Sequence, residues 1–332
     1  VTNGTINVSG ADGDDDVTLD AIASGYTTVS ATGLAGDLTI GLAARASTAM
    51  TITGGTGSDS IAMENASDVL DGGTKTGTTD TLVLGGTYST GGMTVDLTST
   101  GDQITIFNGT SNSVVQKGFE TVDLSGATFN GAGATITVGD TAVTVKGTNK
   151  GDTIVAGLGA DNIYGGAGID AIDITEATSS ADKLYFDSAS TKYAATDGMT
   201  ITGFTSADKL VITESKLTLL DFATNVTAGT EKALITADYN EDAGTSGILI
   251  DEHVNIITTQ GYADIAALLA ATTETAANEM IVGFHNTTSG NYELYDTDTV
   301  GTASTYILLA SFTDITASTA ADTFSEANFI LV

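Results

Sequence analysis

An all-β fold with many tight turns is what this sequence predicts, on three observations. Thr, Val and Ile, which fit a pleated half-buried surface, alternate with Gly, Asp and Asn, which fit turns. Hydrophobic residues make up 41% of the chain, so its acidity is not that of a disordered tail, which combines charge with few apolar residues. Asp and Ile recur at a fixed nine-residue interval, the mark of stacked repeats.

Composition also excludes functions. The chain has 332 residues, 40 Gly, no Pro, no Cys and no Trp. At roughly 150 residues per domain this predicts two or three domains. A protein of this length averages on the order of 16 prolines, so their absence is a bias of the class. Ten Lys+Arg stand against 42 Asp+Glu, a net charge of -32. That excludes a sequence-independent nucleic-acid binder, which needs cations to displace phosphate counterions, and disfavours docking on anionic lipid. No run of about 18 apolar residues offers a membrane span. Zero cysteine removes disulfides, zinc-thiolate sites and thiol nucleophiles. The missing positive charge points to a bound metal cation. The chain does not begin with Met or with an apolar leader, which predicts a piece of a longer or processed protein, with any export signal outside it or at its other end.

The repeats justify the strands in order. A single copy stands at 10–18, GADGDDDVT, with Asp15 and Val17 in the repeat positions. A second block opens with GGTGSDSIA at 54–62, where Gly55 and Gly57 precede Asp59. Asp68 follows nine residues later, and after a longer turn Asp80 and Leu82 repeat the pair. The third block, 147–174, runs in strict phase: Asp152, Asp161 and Asp170, with Ile154, Ile163 and Ile172 two places on. Glycines permit positive φ and a tight turn whose carbonyls point inward. The Asp closes that turn, and the Ile lies in a short strand facing the core. Oxygen ligands in a flexible loop suit Ca²⁺ and not a transition metal. Turn chemistry alone does not require a strict period of nine, although for the lone Asp15 a plain turn role is equally favoured.

The blocks at 54–82 and 147–174 resemble RTX (repeat-in-toxin) repeats of Gram-negative type I secretion substrates. The resemblance implies a parallel β-roll, β-helix-like, with ions held between turns two repeats apart, Asp152 and Asp170 on one edge and Asp161 on the other. It implies several Ca²⁺ ions. Their candidate ligands are Gly147, Asn149, Asp152, Gly157, Gly159, Asp161, Gly166, Gly168, Asp170, Asp173 and Asp182, with Gly55, Gly57, Asp59, Asp68, Asp80 and Asp15 earlier in the chain. GMTITGF at 198–204 and ADKLVIT at 207–213 resemble the strand pair that follows RTX arrays, and ADKLYFDS at 181–188 a related edge unit. TAMTITGGTGSDSI at 48–61 and GFETVDLSG at 118–126 resemble passages of RTX-type S-layer proteins, and the final FSEANFILV an uncleaved type I export signal.

Elsewhere 16–20, 37–41, 81–85, 93–97, 103–107, 121–124 and 134–145 read as strands. YADIAALLAATTETAANEM at 262–280 carries Ala and Leu at helical spacing and is the one expected helix, its apolar face packed as core. MIVGFHN, NYELYDT and TYILLASF read as closing strands. Three domains are expected: 1–146, 147–215 and 216–332. His253 and His285 lie in no metal-binding spacing and read as surface or loop residues. No nucleophile elbow, phosphate loop or dinucleotide fingerprint is present, and among the many carboxylates no pair stands out. The Asn-x-Ser/Thr sequons, such as Asn3 and Asn108, are expected by chance in a Thr-rich chain.

The expected function is therefore not enzymatic. It is a calcium-dependent structural protein that assembles with itself into a cell-surface S-layer after type I secretion, with outer-membrane lipopolysaccharide as an anchor by analogy. The alternatives are the calcium-binding C-terminal portion of a large RTX adhesin, or the RTX tail of a secreted hydrolase whose catalytic domain lies elsewhere.

Overall fold

The computed structural model describes residues 3–41, 49–74, 79–178, 180–186, 198–212, 232–233, 239–242, 254–271, 280–297 and 306–331. Residue contacts divide the chain into two units, Val1–Gly159 and Ala160–Val332.

In the first unit the strands are β1 (Gly4–Gly10), β2 (Val17–Leu19), β3 (Tyr26–Leu34), β4 (Leu38–Ile40), β5 (Thr51–Thr53), β6 (Ser60–Met63), β7 (Val69–Asp71) and β8 (Thr81–Tyr88). They continue as β9 (Gly91–Asp96), β10 (Ile104–Phe107), β11 (Thr110–Ser111), β12 (Gln116–Lys117), β13 (Thr121–Phe129), β14 (Ala132–Thr137), β15 (Thr144–Lys146) and β16 (Thr153–Val155). Strands β1-β3-β5-β7, joined by β12, form one sheet, and β2-β4-β6-β8 open a second, which continues through β13 and β15. The pairing in both is parallel. Successive strands alternate between sheets, so the chain winds as the expected parallel roll. The short strands β5, β7, β15 and β16 each turn one side chain inward, and Ile61, Leu82, Val122 and Val145 stack in register as buried core. β-Branched residues suit this, because one preferred rotamer fills the same slot in every coil.

The third sheet of this unit, β11-β10-β9-β14-β16, corrects one expectation. The run 134–145 is two strands in different sheets, since the chain turns at Gly139–Asp140 between β14 and β15. β10 and β11 form an antiparallel hairpin whose two-residue loop, Asn108-Gly109, has φ of 49° and 75°. Positive φ at both positions matches the twist of the flanking strands, which is why Asn-Gly occupies it.

The second unit contains β17 (Asn162–Tyr164), β18 (Asp170–Asp173), β19 (Lys183–Phe186), β20 (Met199–Thr202), β21 (Lys209–Ile212), β22 (Lys232–Ala233), β23 (Tyr239–Asp242) and β24 (Val254–Tyr262). After α1 (Ile265–Ala271) follow β25 (Met280–Asn286), β26 (Tyr292–Thr297), β27 (Tyr306–Phe312), α2 (Ala317–Thr323) and β28 (Phe329–Leu331). β17-β19-β21-β28 continue as a parallel sheet edged by antiparallel β22, and β18-β20-β27 pair in parallel. β27, β26 and β25 form the antiparallel closing meander.

The expected helix starts later than Tyr262, which belongs to β24. Asp264 accepts the Ala267 N–H at 2.8 Å and so begins α1, while 272–279 lie outside the described residues. Ile265 and Leu268 pack on Ile257, Val282 and Phe284, the core role expected of this face. The C-terminal FSEANFIL is part of the core: Phe324 packs on Phe204, Phe312 and Tyr292, and Phe329 is fully buried in β28. Among the described residues no helix is long and apolar enough to cross a membrane.

Candidate functional site: files of buried carboxylates

The Asp residues that open the short strands are buried. Asp59, Asp68, Asp80 and Asp152 in the first unit, and Asp161, Asp170, Asp182 and Asp208 in the second, are each at most 2% exposed. A carboxylate accepts such burial only where hydrogen bonds replace water. Here they come from two directions. Asp59 Oδ1 accepts the Leu38 N–H of the preceding coil at 2.7 Å, and Oδ2 accepts the Gly55 N–H of its own turn at 2.6 Å. Asp152 repeats this with Ala134 N–H at 2.5 Å and Thr148 N–H at 2.6 Å. Asp68 accepts from Met50 N–H and Asn65 N–H, both at 2.9 Å.

The bonds chain the coils into files. In the first unit the Asp59 N–H donates to Asp80 at 2.8 Å, and the Asp80 N–H to Glu120 at 2.7 Å. In the second, the Asp161 N–H donates to Asp182 at 2.8 Å and the Asp182 N–H to Asp208 at 3.0 Å. Asn328 closes this file differently: its amide donates to the carbonyls of Asp208 at 2.7 Å and Ser206 at 3.1 Å. The coil step is 21 residues at Asp59–Asp80 and 18, twice the nine-residue period, at Ala134–Asp152.

The glycines are required by the same stacking. A Cβ on Gly54 would lie 2.0 Å from the Gly72 carbonyl and 2.1 Å from Asp59 Oδ2. On Gly157 it would meet the Gly139 carbonyl at 1.9 Å, on Gly57 the Gly36 carbonyl at 2.3 Å, and on Gly165 the Asp170 Oδ2 at 2.1 Å. Gly166 and Gly168 hold φ of 96° and 112°, the left-handed region. Gly54→Ala is therefore expected to cost at least ~2 kcal/mol, because the atoms it strikes are backbone and a buried carboxylate. Gly25→Ala, whose Cβ meets nothing within 4 Å, is the neutral control. Urea midpoints of both variants check this.

The remaining candidates separate. Asn149 bridges coils like an Asp, accepting the Phe129 N–H at 2.7 Å. Asp173 lies at the other end of β18 from Asp170 and accepts the Thr175 N–H at 3.0 Å. Asp15 is exposed and accepts the Asp12 N–H at 3.2 Å; it is Asp16 that reaches the next coil, at Asp37 N–H, 2.9 Å. Asp16, Asp37, Glu120, Asp208 and Asn328 were not among the sequence candidates. Ala160-Asp161-Asn162-Ile163, Ala181-Asp182-Lys183-Leu184 and Ala207-Asp208-Lys209-Leu210 share a pattern that marks Asp208.

Burial pushes Asp152 up to about 6 against the bonds from Thr148 and Ala134. Burial pushes Asp182 up to about 7, helped by the negative charge of Asp208, Asp161 and Glu176. Asp59 and Asp208 are raised for the same first reason. The described ion pairs lie elsewhere: Lys117–Asp71 at 3.1 Å and Lys146–Asp123 at 2.8 Å, with all four side chains partly exposed.

Among the described residues no three His, Asp or Glu side chains cluster as a metal site. Beside Asp59, Asp80 and Asp152 the carbonyls of Gly72, Gly118 and Gly151 approach the carboxylate, hard oxygen atoms that fit Ca²⁺ by type. A cavity of about 280 Å³ in the first unit is lined by Leu97, Thr98, Glu120, Gly139, Asp140 and Thr141. His285 is not in a loop but half-buried in β25, where its ring contacts the Gly290 carbonyl at 3.2 Å, and His253 lies outside the described residues. No known protein family, curated protein or solved structure matches the chain.

Proposed function

We propose that this chain is a calcium-dependent structural protein that assembles with itself into a surface layer on a bacterial cell after type I secretion. The observation that carries the proposal is the stacking of buried carboxylates coil on coil in a chain of net charge -32. Ionised, such files repel along their length. Calcium, when bound, supplies the positive charge that lets them stay ionised in the fold.

Asp59, Asp68 and Asp80, Asp152, and Asp161, Asp170 and Asp182 are the carboxylates proposed to hold it, with turn carbonyls as further donors. Asp59, Asp68 and Asp152 also fix their own turns through backbone N–H bonds, so metal affinity and coil closure are coupled. In low cytosolic calcium the chain stays open and fits an export channel; extracellular calcium modules work at about 10⁻⁴–10⁻³ M, the range that closes it outside. The secretion machinery recognises the C-terminal segment while the chain is open, before Phe324 and Phe329 are buried. Lipopolysaccharide is the proposed anchor, and no catalytic step is assigned.

Negative-stain electron microscopy of protein dialysed from chelator into millimolar calcium tests the reading. Ordered sheets are expected. Folded but dispersed particles at every protein concentration would remove the lattice and favour an adhesin or secretion module.

A further inference from the structure

The roll is open at its first coil. β1 and β2 are the outermost strands of the two sheets that begin the first unit, and among the described residues no strand lies beyond them. Ile6 and Val8 on β1, and Val17 and Leu19 on β2, are partly exposed, whereas Val29, Ile52, Leu38 and Ile40 on the next coils are at most 1% exposed. A solenoid end of this kind needs a cover, because apolar core and strand edge are both bare there. β1 has none of the usual protection of an edge: no Pro, no Lys and no bulge, since the extra residues of the β1–β3 ladder lie on β3.

The sequence of that edge is centred on itself. β1 reads GTINVSG, so turning it end for end about Asn7 sets Ile6 against Val8, Thr5 against Ser9 and Gly4 against Gly10. β2 reads VTL and does the same about Thr18, setting Val17 against Leu19. The two centres are 11 residues apart, half of a coil step of 21 to 23, so one two-fold axis passes through both strands. The backbone agrees. Gly4 donates its N–H to the Gly25 carbonyl at 2.9 Å and Gly10 accepts the Ala35 N–H at 2.8 Å, both on the β3 side. Backbone groups alternate in direction along a strand, so those of Thr5, Asn7 and Ser9 face the open edge.

We infer that this end is a two-fold contact between two copies of the chain, in which β1 pairs antiparallel with a second β1 and β2 with a second β2. Thr5, Asn7 and Ser9 then exchange about six backbone hydrogen bonds with Ser9, Asn7 and Thr5 of the other copy, and the two apolar cores become continuous. A contact that maps onto itself is isologous and closes at two copies. An end about 24 Å long and about 20 Å deep buries on the order of 1,000 Å² in the pair, the lower limit of a specific interface. Charge opposes it. The turn 11–16 of each copy, ADGDDD, comes beside turn 20–25 of the other, which brings Asp20 and no cation. The contact is therefore weak, and salt strengthens it by screening that repulsion. It goes beyond the surface-layer reading and holds with or without it.

Cross-linking tests it cleanly, because the chain has no Cys of its own. Asn7→Cys lies opposite itself across the axis at a Cα separation of about 5.5 Å, within disulfide reach, whereas Thr5→Cys lies about 14 Å from its own copy. In calcium and about 0.5 M salt under mild oxidation, Asn7→Cys is expected to become mostly disulfide-linked dimer, and Thr5→Cys to give less than about a tenth of that yield. Sedimentation equilibrium of the wild type is expected to give a dimer midpoint in roughly the tens of micromolar, about tenfold weaker at low salt. Asn7→Pro removes only an N–H that faces the edge, and is expected to fold by circular dichroism and stay monomeric. If it does not fold, Asn7→Asp, which sets two acids opposite each other, is expected to weaken the dimer about tenfold. Equal cross-linking of both cysteine variants, or dimers that persist unchanged in Asn7→Pro and Asn7→Asp, overturns the contact. Wild-type protein that is monomeric at every concentration in high salt also overturns it, and gives the open end to a further coil. Sheets in calcium whose Asn7→Cys variant does not cross-link overturn it while leaving the surface-layer reading standing. Cross-linked dimers that never form sheets keep this contact and remove that reading.

Discussion

Addition of excess chelator at pH 7.5 is expected to abolish most of the β-sheet circular dichroism of this protein, and readdition of millimolar calcium to restore it. The argument is electrostatic. Asp59 and Asp80, or Asp161, Asp182 and Asp208, stand on successive coils of a roll whose strands are about 4.8 Å apart. At an effective dielectric of about 20, two charges at that spacing repel by ~3 kcal/mol. Native domains are stable by only ~5–15 kcal/mol, so a few such pairs without a cation exceed what the core supplies. The backbone bonds to each carboxylate offset its desolvation, but they add no positive charge. Replacing Asp152, Asp161 and Asp170 by Ala is expected to raise the calcium midpoint. A β signal unchanged in chelator removes metal-coupled folding, and an unchanged midpoint in the triple variant places the ligands elsewhere.

The sequence made part of this site legible. Where copies of the repeat run in phase, period converts directly into position: Asp152, Asp161 and Asp170 are buried, and Ile154, Ile163 and Ile172 point into the core. Beyond the strict repeats the coils lengthen to 21 residues or more, and the phase of nine no longer finds the next carboxylate. Asp208 occupies the same structural place as Asp182, one coil on, but it lies 26 residues away, and the turn before it carries the lone Gly203 in place of the tandem glycines of the strict repeats. Asn328 escaped for a chemical reason, because it ends the file by donating an amide where every earlier member accepts. Asn108 carries a sequon of the kind chance supplies in a Thr-rich chain, but Asn-Gly between apolar runs is also the signal of the hairpin it forms. The strand boundary inside 134–145 was hidden because both halves alternate with the same period of two, and only the turn at Gly139–Asp140 decides which sheet each joins.

Metal-free protein is expected to gain stability on acidification, and calcium-loaded protein to lose it. Burial first, and neighbouring carboxylates second, hold Asp182 up at about 7, and burial holds Asp152 up at about 6; the unfolded chain titrates both near 3.8. Between those values the native state binds more protons than the unfolded state, so stability falls as pH rises. The contribution is fully present below about pH 4 and is lost as pH passes 6 and then 7. Asp59 and Asp208 are raised and act in the same direction. Asp123 acts in the other: burial would raise it, but its bonds to Lys146 and Ser125 outweigh that and lower it, so its contribution disappears only below pH 3.8, outside the window. At about 1.4 kcal/mol per pKa unit, discounted for coupling within the file, the swing is on the order of 3–5 kcal/mol. In chelator, moving from pH 7.5 to pH 5 is therefore expected to recover part of the β signal without any metal. With calcium bound the sign inverts, because protons then compete with the ion for the same oxygen atoms. Urea midpoints at pH 5 and 7.5, with calcium and with chelator, give the four values needed. Opposite slopes place the cation on the buried files. Parallel slopes mean that calcium, if it stabilises the protein at all, does so through other groups, and that the Asp files close the roll by hydrogen bonding alone.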